Sequence, residues 1–327
     1  MVDVQKPLVS ILIPFFRVEG FIERCARSAF EQTYPNLEFL FLDDGSPDNS
    51  LAILQRTLED YPQRAPQTRI LRNPRNIGLA ATRNVAVENC RGEFLYWIDA
   101  DDYVIRTAIQ TLMDLQRRAG ADIVTGRMME TGTADPQEVV LARDSRMETI
   151  RGILDSNVKT QITNRLIRTS LYREHGIRCL EGFNYREDFQ VVPKLFFFAD
   201  TVSRTQEITY FYELGNANSY NNAAKAEIRT KIEKDTQDLK ATQMIGEFFA
   251  DTLPEVNTLN KEHEVYFLRE IIRDATRAGD KALFMETMKK LKDVDYRYVK
   301  RFASRLYVFS HLSPSLCWFV KRARLEP

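Results

Sequence analysis

The chain has 327 residues, and its 46 basic and 46 acidic residues give a formal net charge of zero. That balance indicates no nucleic acid partner, and the length allows one sizeable α/β domain with an appendage. The three histidines are scattered, and the four cysteines have no Cys-x-x-Cys spacing, which argues against a zinc hydrolase. P-loop and Gly-x-Gly-x-x-Gly patterns do not occur either. The acidic side chains are therefore the remaining candidates for catalytic residues.

The first seven residues have no signal-peptide pattern. No apolar run approaches the ~18–20 residues that span a bilayer. Unpaired, scattered cysteines are typical of a reducing compartment. We therefore expect a cytoplasmic protein, either free in solution or bound peripherally at a membrane.

Apolar runs alternate with helical patterns along the N-terminal third of the chain. The runs typical of buried strands are Leu8–Pro14, Leu37–Leu42, Thr68–Leu71 and Phe94–Ile98. The helical stretches between them are Phe21–Glu31, Ser50–Tyr61 and Leu79–Cys90. This alternation predicts an α/β fold with a mostly parallel sheet. Polar residues follow each strand, so they converge at one edge of the sheet, where ligands of open α/β sheets bind.

The most informative strand end is Asp99-Ala100-Asp101-Asp102, which follows the last of these runs directly. Three adjacent carboxylates repel one another and are costly to desolvate without a cation or hydrogen-bond donors. An Asp-x-Asp pair supplies the hard oxygen ligands that Mg²⁺ or Mn²⁺ prefers, and such a metal often holds phosphates. The alternative is a plain turn with helix-capping aspartates.

Several motifs in order resemble those of family 2 glycosyltransferases, which are inverting, nucleotide-sugar-dependent enzymes with the GT-A fold. The matching segments are Val9–Phe15, Asp43–Ser50, Asn76–Asn84, Asp99–Asp102, Asn164–Arg168 and Tyr185–Asp188. The resemblance covers roughly residues 7–215 and extends to glycosyltransferases of bacterial polysaccharide synthesis. It implies a Rossmann-like catalytic domain over residues 1–215, with a nucleotide-sugar half (7–126) and an acceptor half (127–215). A helical C-terminal region is expected over residues 216–327.

The resemblance also implies the chemistry: transfer of a hexose or N-acetylhexosamine from a nucleotide sugar to a glycan or a lipid-linked glycan. Asp99 and Asp101 would hold Mn²⁺ or Mg²⁺ against the diphosphate, where the metal acts as a Lewis acid. An acidic pair at the place of Glu187 and Asp188 contributes the base in this family, and Asp188 is our candidate, supported by Glu187. The alternative for this pair is simple capping of the helix that begins there.

Donor recognition is expected at the ends of the first strands. Asp44 can accept a hydrogen bond from uracil N3–H, which favours a UDP-sugar, and an aromatic ring after Pro14 can lie beside the nucleoside. Arg83 can reach the base or the diphosphate, although a solvent-facing helix arginine is the alternative. Asn76 and Gly78 form either a turn that approaches the ligand or a plain loop. The predicted donor-binding set is Pro14, Phe15, Asp44, Asn76, Arg83, Asp99 and Ala100.

Two positions depart from the family pattern. The first motif often continues Pro-x-Tyr-Asn, whereas this chain reads Pro14-Phe15-Phe16-Arg17. Arg165 stands where lysine is more usual, which keeps the charge and changes its shape. Neither departure touches the acidic residues.

The C-terminal segment 296–325 combines basic and aromatic residues and contains no acid. This pattern is typical of a helix that lies in a membrane interface, on the inner face of the cytoplasmic membrane. The alternative is that its aromatic residues pack on the protein core. A second hypothesis for the whole chain is a catalytically inactive protein of the same fold that binds nucleotide sugars or acts as a scaffold.

Overall fold

The computed structural model of the protein describes residues 6–183, 185–216, 227–299, 314, 315 and 318. These residues form two compact units. The first comprises residues 6–183 and 187–216. The second comprises residues 185, 186 and 227–299 together with 314, 315 and 318.

Four strands alternate with three helices at the start of the first unit. The strands are β1 (Val9–Phe15), β2 (Leu37–Asp43), β3 (Thr68–Arg72) and β4 (Phe94–Trp97). The helices are α1 (Ile22–Phe30), α2 (Ser50–Glu59) and α3 (Leu79–Asn89), and a 3₁₀ turn at Ala65–Gln67 precedes β3. Every residue of β1, β2 and β4 is buried, which explains why these strands are continuous apolar runs. The predicted α/β alternation is confirmed.

The remaining elements of this unit are less regular. They are β5 (Tyr103–Val104), α4 (Ala108–Ala119), β6 (Ile123–Thr131), β7 (Glu138–Val139), α5 (Arg146–Leu154), β8 (Arg165–Arg168), α6 (Ser170–Glu174), α7 (Glu187–Phe198) and β9 (Val202–Glu213). The sheet has the order β3-β2-β1-β4-β8-β6-β9-β5, and β7 pairs with β6. Strands β1 to β4 run parallel, as do β6 and β9, whereas β8 is antiparallel to both of its neighbours. The sheet is therefore mostly parallel, as predicted.

The position of β1 between β2 and β4 brings three strand ends together. Phe15 pairs with Asp43 of β2, and Leu12 pairs with Trp97 of β4. The residues that follow these strands therefore emerge side by side at one edge. Strand order, rather than any single residue, makes this edge the meeting point of the polar motifs.

The second unit is helical, with α8 (Ile228–Phe249), α9 (Pro254–Ala278), α10 (Lys281–Lys292) and α11 (Tyr296–Val299). Its core includes Ile272, Phe284 and Met288, which are fully buried. Most of the segment 296–325 lies outside the described residues, but the ring of Trp318 meets that of Phe284 edge-on at 5.0 Å. In the described ranges, no helix is both long enough and apolar enough to cross a membrane.

Candidate active site

The carboxylate of Asp44 organises the loop that leads into α3. Asp44 directly follows β2, and its Oδ1 accepts hydrogen bonds from Asn73 Nδ2 and the Ile77 amide, both at 2.9 Å. Its Oδ2 accepts one from the Gly78 amide at 3.0 Å. Each carboxylate oxygen has two lone pairs. Oδ1 uses both of its lone pairs in these hydrogen bonds, and Oδ2 uses one. Among the residues that the structure describes, no second donor reaches Oδ2, so one of its lone pairs can accept a further hydrogen bond.

The turn before α3 depends on Asn76 and Gly78. The exposed Asn76 accepts a hydrogen bond from the Gly78 amide through its Oδ1 at 3.1 Å. Gly78 has φ +89°, a backbone conformation that side chains with a Cβ rarely adopt. The turn therefore starts α3 directly beside Asp44.

Arg83 lies at the centre of the acidic residues, with only 3% of its surface exposed. Its Nη2 donates to Asp99 Oδ1 at 3.1 Å, and its Nη1 lies 3.4 Å from Glu187 Oε1 and forms an ion pair with Asp188. Burial disfavours its charge, but the carboxylates of Asp99 and Glu187 outweigh burial and raise the pKa of Arg83. The alternative of a solvent-facing helix arginine is wrong.

Glu187 and Asp188 open α7, as the sequence pattern predicted. The Asp188 side chain is bonded to Arg83 through Oδ1 and accepts the Ile162 amide through Oδ2 at 3.2 Å. Neither partner belongs to α7, so these contacts of Asp188 are not those of a helix cap. The pair instead faces the acidic strand end after β4, about ninety positions away in sequence.

The segment Asp99–Asp102 forms a tight turn, closed by a hydrogen bond from the Asp102 amide to the Asp99 carbonyl, and its first and last acids differ in burial. The side chain of Asp99 is 29% exposed, whereas Asp102 is fully buried. Burial and the neighbouring Asp99 raise the pKa of Asp101 to about 6, although Asn216 Nδ2 donates to its Oδ2 at 2.8 Å. Burial, followed by Asp101 and Asp99, raises the pKa of Asp102 well above its ordinary value. In both groups burial is the main cause, with the neighbouring carboxylates adding to it.

The end of β9 clamps this turn, a contact that no sequence motif indicated. The hydroxyl of Tyr210 donates to Asp102 Oδ2 at 2.5 Å and accepts the Asp99 amide at 3.1 Å. The Glu213 amide donates to Asp102 Oδ1 at 2.8 Å. Arg24 on α1 bridges the Glu213 carboxylate at 2.9 Å and the Asp101 carbonyl at 2.8 Å. No local signal marks these partners, because they lie far apart along the chain.

Two carboxylates of this turn, those of Asp99 and Asp101, have the hard oxygen atoms that divalent cations prefer. Asp99 Oδ2 makes no hydrogen bond to any residue that the structure describes. Within the same residues, no three His, Cys, Asp or Glu side chains cluster in a way that could hold an ion. A cation held by Asp99 and Asp101 would therefore need further ligands from outside these side chains, such as diphosphate oxygens and water.

The two aromatic rings at the end of β1, those of Phe15 and Phe16, differ in solvent accessibility. Phe15 is 4% exposed and belongs to the core of the first unit, and its carbonyl accepts the Asp44 amide at 2.9 Å. Phe16 is half-buried, with the Arg17 guanidinium 5.1 Å from its ring centre. Pro14 is buried near the end of β1, and Ala100 is buried in the turn that follows β4. The accessible ring of the Pro14-Phe15-Phe16 segment is therefore that of Phe16.

The Asn164-Arg165 pair is fully buried beneath the site. Asn164 has φ +57°, and its Oδ1 accepts the hydroxyls of Tyr96 and Thr209 at 2.9 and 2.7 Å. Arg165 Nη2 donates to the Leu141 carbonyl at 2.6 Å, and burial lowers the pKa of Arg165 to about 9. Asn164, just before β8, thereby links β4 and β9. The acidic turn follows β4, and the end of β9 contacts that turn.

A family model described as "Glycosyl transferase family 2" matches residues 10–177. That match covers the strand ends, the acidic turn and Arg83. The chain belongs to glycosyl transferase family 2, as its motifs indicated.

Curated relatives carry related names. The chain is 29% identical over 214 residues to the uncharacterized glycosyltransferase EpsJ of Bacillus subtilis (strain 168), a match that spans 63% of this chain and 61% of EpsJ. It is 37% identical over 114 residues to a chondroitin synthase of Escherichia coli, which covers 35% of this chain and 16% of that protein. The matched part thus spans about three fifths of EpsJ and a smaller part of the synthase.

Solved structures share the fold. A fragment of S. aureus TarS in complex with UDP-GlcNAc superposes with a TM-score of 0.68 at 18% identity, covering 97% of this chain and 88% of that one. The mannosyltransferase PcManGT from Pyrobaculum calidifontis, in complex with GDP-Man and Mn²⁺, superposes with a TM-score of 0.54 at 13% identity, covering 99% and 89%. At these identities the likeness establishes the fold alone.

Proposed function

We propose that this chain transfers a sugar from a nucleotide sugar, with UDP as the favoured carrier, to a glycan or lipid-linked glycan acceptor by a metal-assisted single displacement. The observation that carries the proposal is the convergence on Arg83. The acid of the turn after β4 and the acidic pair of α7 meet at one buried guanidinium. Sugar transfer needs its metal ligands and its base within one site, and this convergence supports that interpretation.

Asp188 takes the role of the base in this proposal. It would accept the proton of the acceptor hydroxyl, while Arg83 and the Ile162 amide hold its carboxylate in place. Glu187 adds negative charge beside it and contacts Arg83. Asp99 and Asp101 would hold Mn²⁺ or Mg²⁺, which when bound supplies Lewis-acid stabilisation of the departing diphosphate. Attack opposite the leaving group implies an inverted product.

Donor selection follows from Asp44 and its neighbours. The remaining acceptor position on Asp44 Oδ2 suits uracil N3–H, a donor that a cytosine ring lacks. The half-buried ring of Phe16 is accessible for stacking beside a nucleoside, whereas that of Phe15 serves the core. TarS in complex with UDP-GlcNAc supports UDP as the carrier, and PcManGT with GDP-Man marks the competing carrier to be tested.

The acceptor and the location of the protein complete the proposal. The glycosyltransferase names of the relatives support a glycan acceptor. A lipid-linked acceptor would make membrane contact through residues 296–325 useful, with the protein peripheral on the inner face of the cytoplasmic membrane. The sugar that is transferred would be a hexose or an N-acetylhexosamine.

The experiment is a panel of UDP- and GDP-sugars incubated with the full chain and Mn²⁺, with nucleotide release measured. Slow release of UDP from one or a few donors supports the enzyme. UDP binding without turnover on any donor and acceptor preparation favours the inactive nucleotide-sugar-binding protein instead. A matched Asp188→Asn chain corrects for contaminating hydrolases, because it should bind UDP and release little.

A further inference from the structure

Arg83 serves two groups of acids at once. Its Nη2 holds Asp99, and its Nη1 faces Glu187 and Asp188, while its Nε has no hydrogen-bond partner among the described residues. Three carboxylates thus share one cation in a place where the arginine is 3% exposed. Asp99 therefore shares its guanidinium with two other carboxylates.

Asp99 is also the carboxylate that the proposed function gives to the divalent cation. The guanidinium nitrogen lies 3.1 Å from Asp99 Oδ1, so a cation on the other oxygen would lie within a few ångströms of a like charge. Away from bulk water that repulsion is strong. Binding of the cation and the contact between Arg83 and Asp99 therefore oppose each other.

We propose that Arg83 competes with the divalent cation for Asp99, so that Arg83 couples occupancy of the metal site to the Glu187–Asp188 pair. The inference rests on the proposed function for the identity of the cation site. When the cation takes Asp99, the guanidinium keeps Glu187 and Asp188 as its partners. Because coupling is reciprocal, a tighter contact of Arg83 with Asp99 weakens cation binding by the same factor.

The test is Mn²⁺ binding to the full chain, measured by electron paramagnetic resonance with and without UDP. Arg83→Met removes the competing charge, and we expect Mn²⁺ to bind about tenfold or more tightly without UDP. Arg83→Lys keeps the charge and should stay within about threefold of the parent. Arg72→Met is the matched control, because Arg72 pairs with the buried Asp43 at 3.0 Å and not with Asp99.

Equal or weaker Mn²⁺ binding by folded Arg83→Met overturns the inference. The parent chain provides a second measurement if that variant fails to fold. The Nε resonance of Arg83, assigned by its loss in Arg83→Lys, should shift on Mg²⁺ addition, and no shift at saturation overturns the inference. Failure of every chain to bind Mn²⁺ even with UDP overturns the metal in the proposed function as well. Normal Mn²⁺ binding with UDP and no effect of Arg83→Met overturns the inference alone.

Discussion

A Cβ atom on Gly45 would lie 2.8 Å from the carbonyl carbon of Arg75. Gly45 follows Asp44 with φ +70°, so the loop after β2 and the loop before α3 touch backbone to backbone. We expect Gly45→Ala to lower the free energy of unfolding by about 1–2 kcal/mol through its backbone and also to weaken UDP binding by displacing the Asp44 loop. Urea denaturation and calorimetric titration with UDP measure the two effects.

Gly120→Ala is the matched control for that prediction. Gly120 ends α4 with φ +62°, but a Cβ atom there would meet no described atom within 4 Å. It should show a similar loss of stability and normal UDP affinity. Equal UDP affinity in the two variants would show that the close contact at Gly45 does not affect UDP binding.

Asp101→Ala tests the metal site. Loss of a hard oxygen ligand should abolish transfer and the Mn²⁺-dependent part of UDP affinity, and EDTA should do the same to the parent chain. Asp114→Ala, which removes surface contacts with Arg117 and Gln110 away from the acidic turn, is the control. Transfer at full rate after both EDTA treatment and Asp101→Ala would exclude this metal assignment.

Asp188→Asn removes the proposed proton acceptor while keeping the size of the side chain. Transfer should fall by ~10²–10⁴-fold, and UDP-sugar affinity should stay near its original value. Glu187→Gln should cost less, because Glu187 contributes charge rather than proton transfer. The reverse ranking would exchange the two roles. NMR of the product should show β configuration from an α-linked donor, and retention would rule out single displacement.

Tyr210→Phe removes a donor from the buried Asp102 and an acceptor from the Asp99 amide. Hydrogen bonds to charged groups contribute about 1.5–3 kcal/mol, so we expect a stability loss in that range and a weaker Mn²⁺ response. Tyr96→Phe removes a similarly buried hydroxyl that bonds to Asn164 instead. It should lower stability by less and leave Mn²⁺ binding intact. Identical Mn²⁺ binding in the two variants would contradict a role for the clamp in the metal site.

Replacing the basic residues of 296–325 by glutamine tests membrane contact. Each basic residue near an anionic surface contributes about 1 kcal/mol, so liposome binding should fall steeply while UDP binding stays normal. Substitution is preferable to deletion, because Trp318 packs against Phe284 in the second unit. Undiminished liposome binding by the glutamine variant would favour the alternative that this segment serves only the core.

The strands and helices up to β4 were predictable because each carries its own signal. Buried parallel strands are continuous apolar runs. Asp44 and Asp99 mark where two of these runs end, and Gly78 marks where α3 begins. The family motifs pointed to Arg83, Glu187 and Asp188 without indicating that they meet. Their meeting depends on strand order and on the antiparallel insertion of β8, which no local pattern encodes.

The clamp on the acidic turn could not be predicted for a related reason. Tyr210 and Glu213 lie in β9, most of whose residues are exposed or only partly buried. Their partners, Asp102 and Arg24, lie 108 and 189 positions away. Pairings over such separations leave no trace in a window of ten or twenty residues.

These same separations constrain the order in which the protein acquires its site. The Asp-x-Asp turn lies in the N-terminal third, but its clamp closes only when β9 adds to the sheet and brings Glu213 to Arg24. Contacts this distant in sequence form late and slow the folding of a domain. During synthesis, a ribosome-bound chain that has completed β1 to β4 would carry the acidic turn without its partners from β9. Competence for cation binding would arrive only after the last strand has emerged.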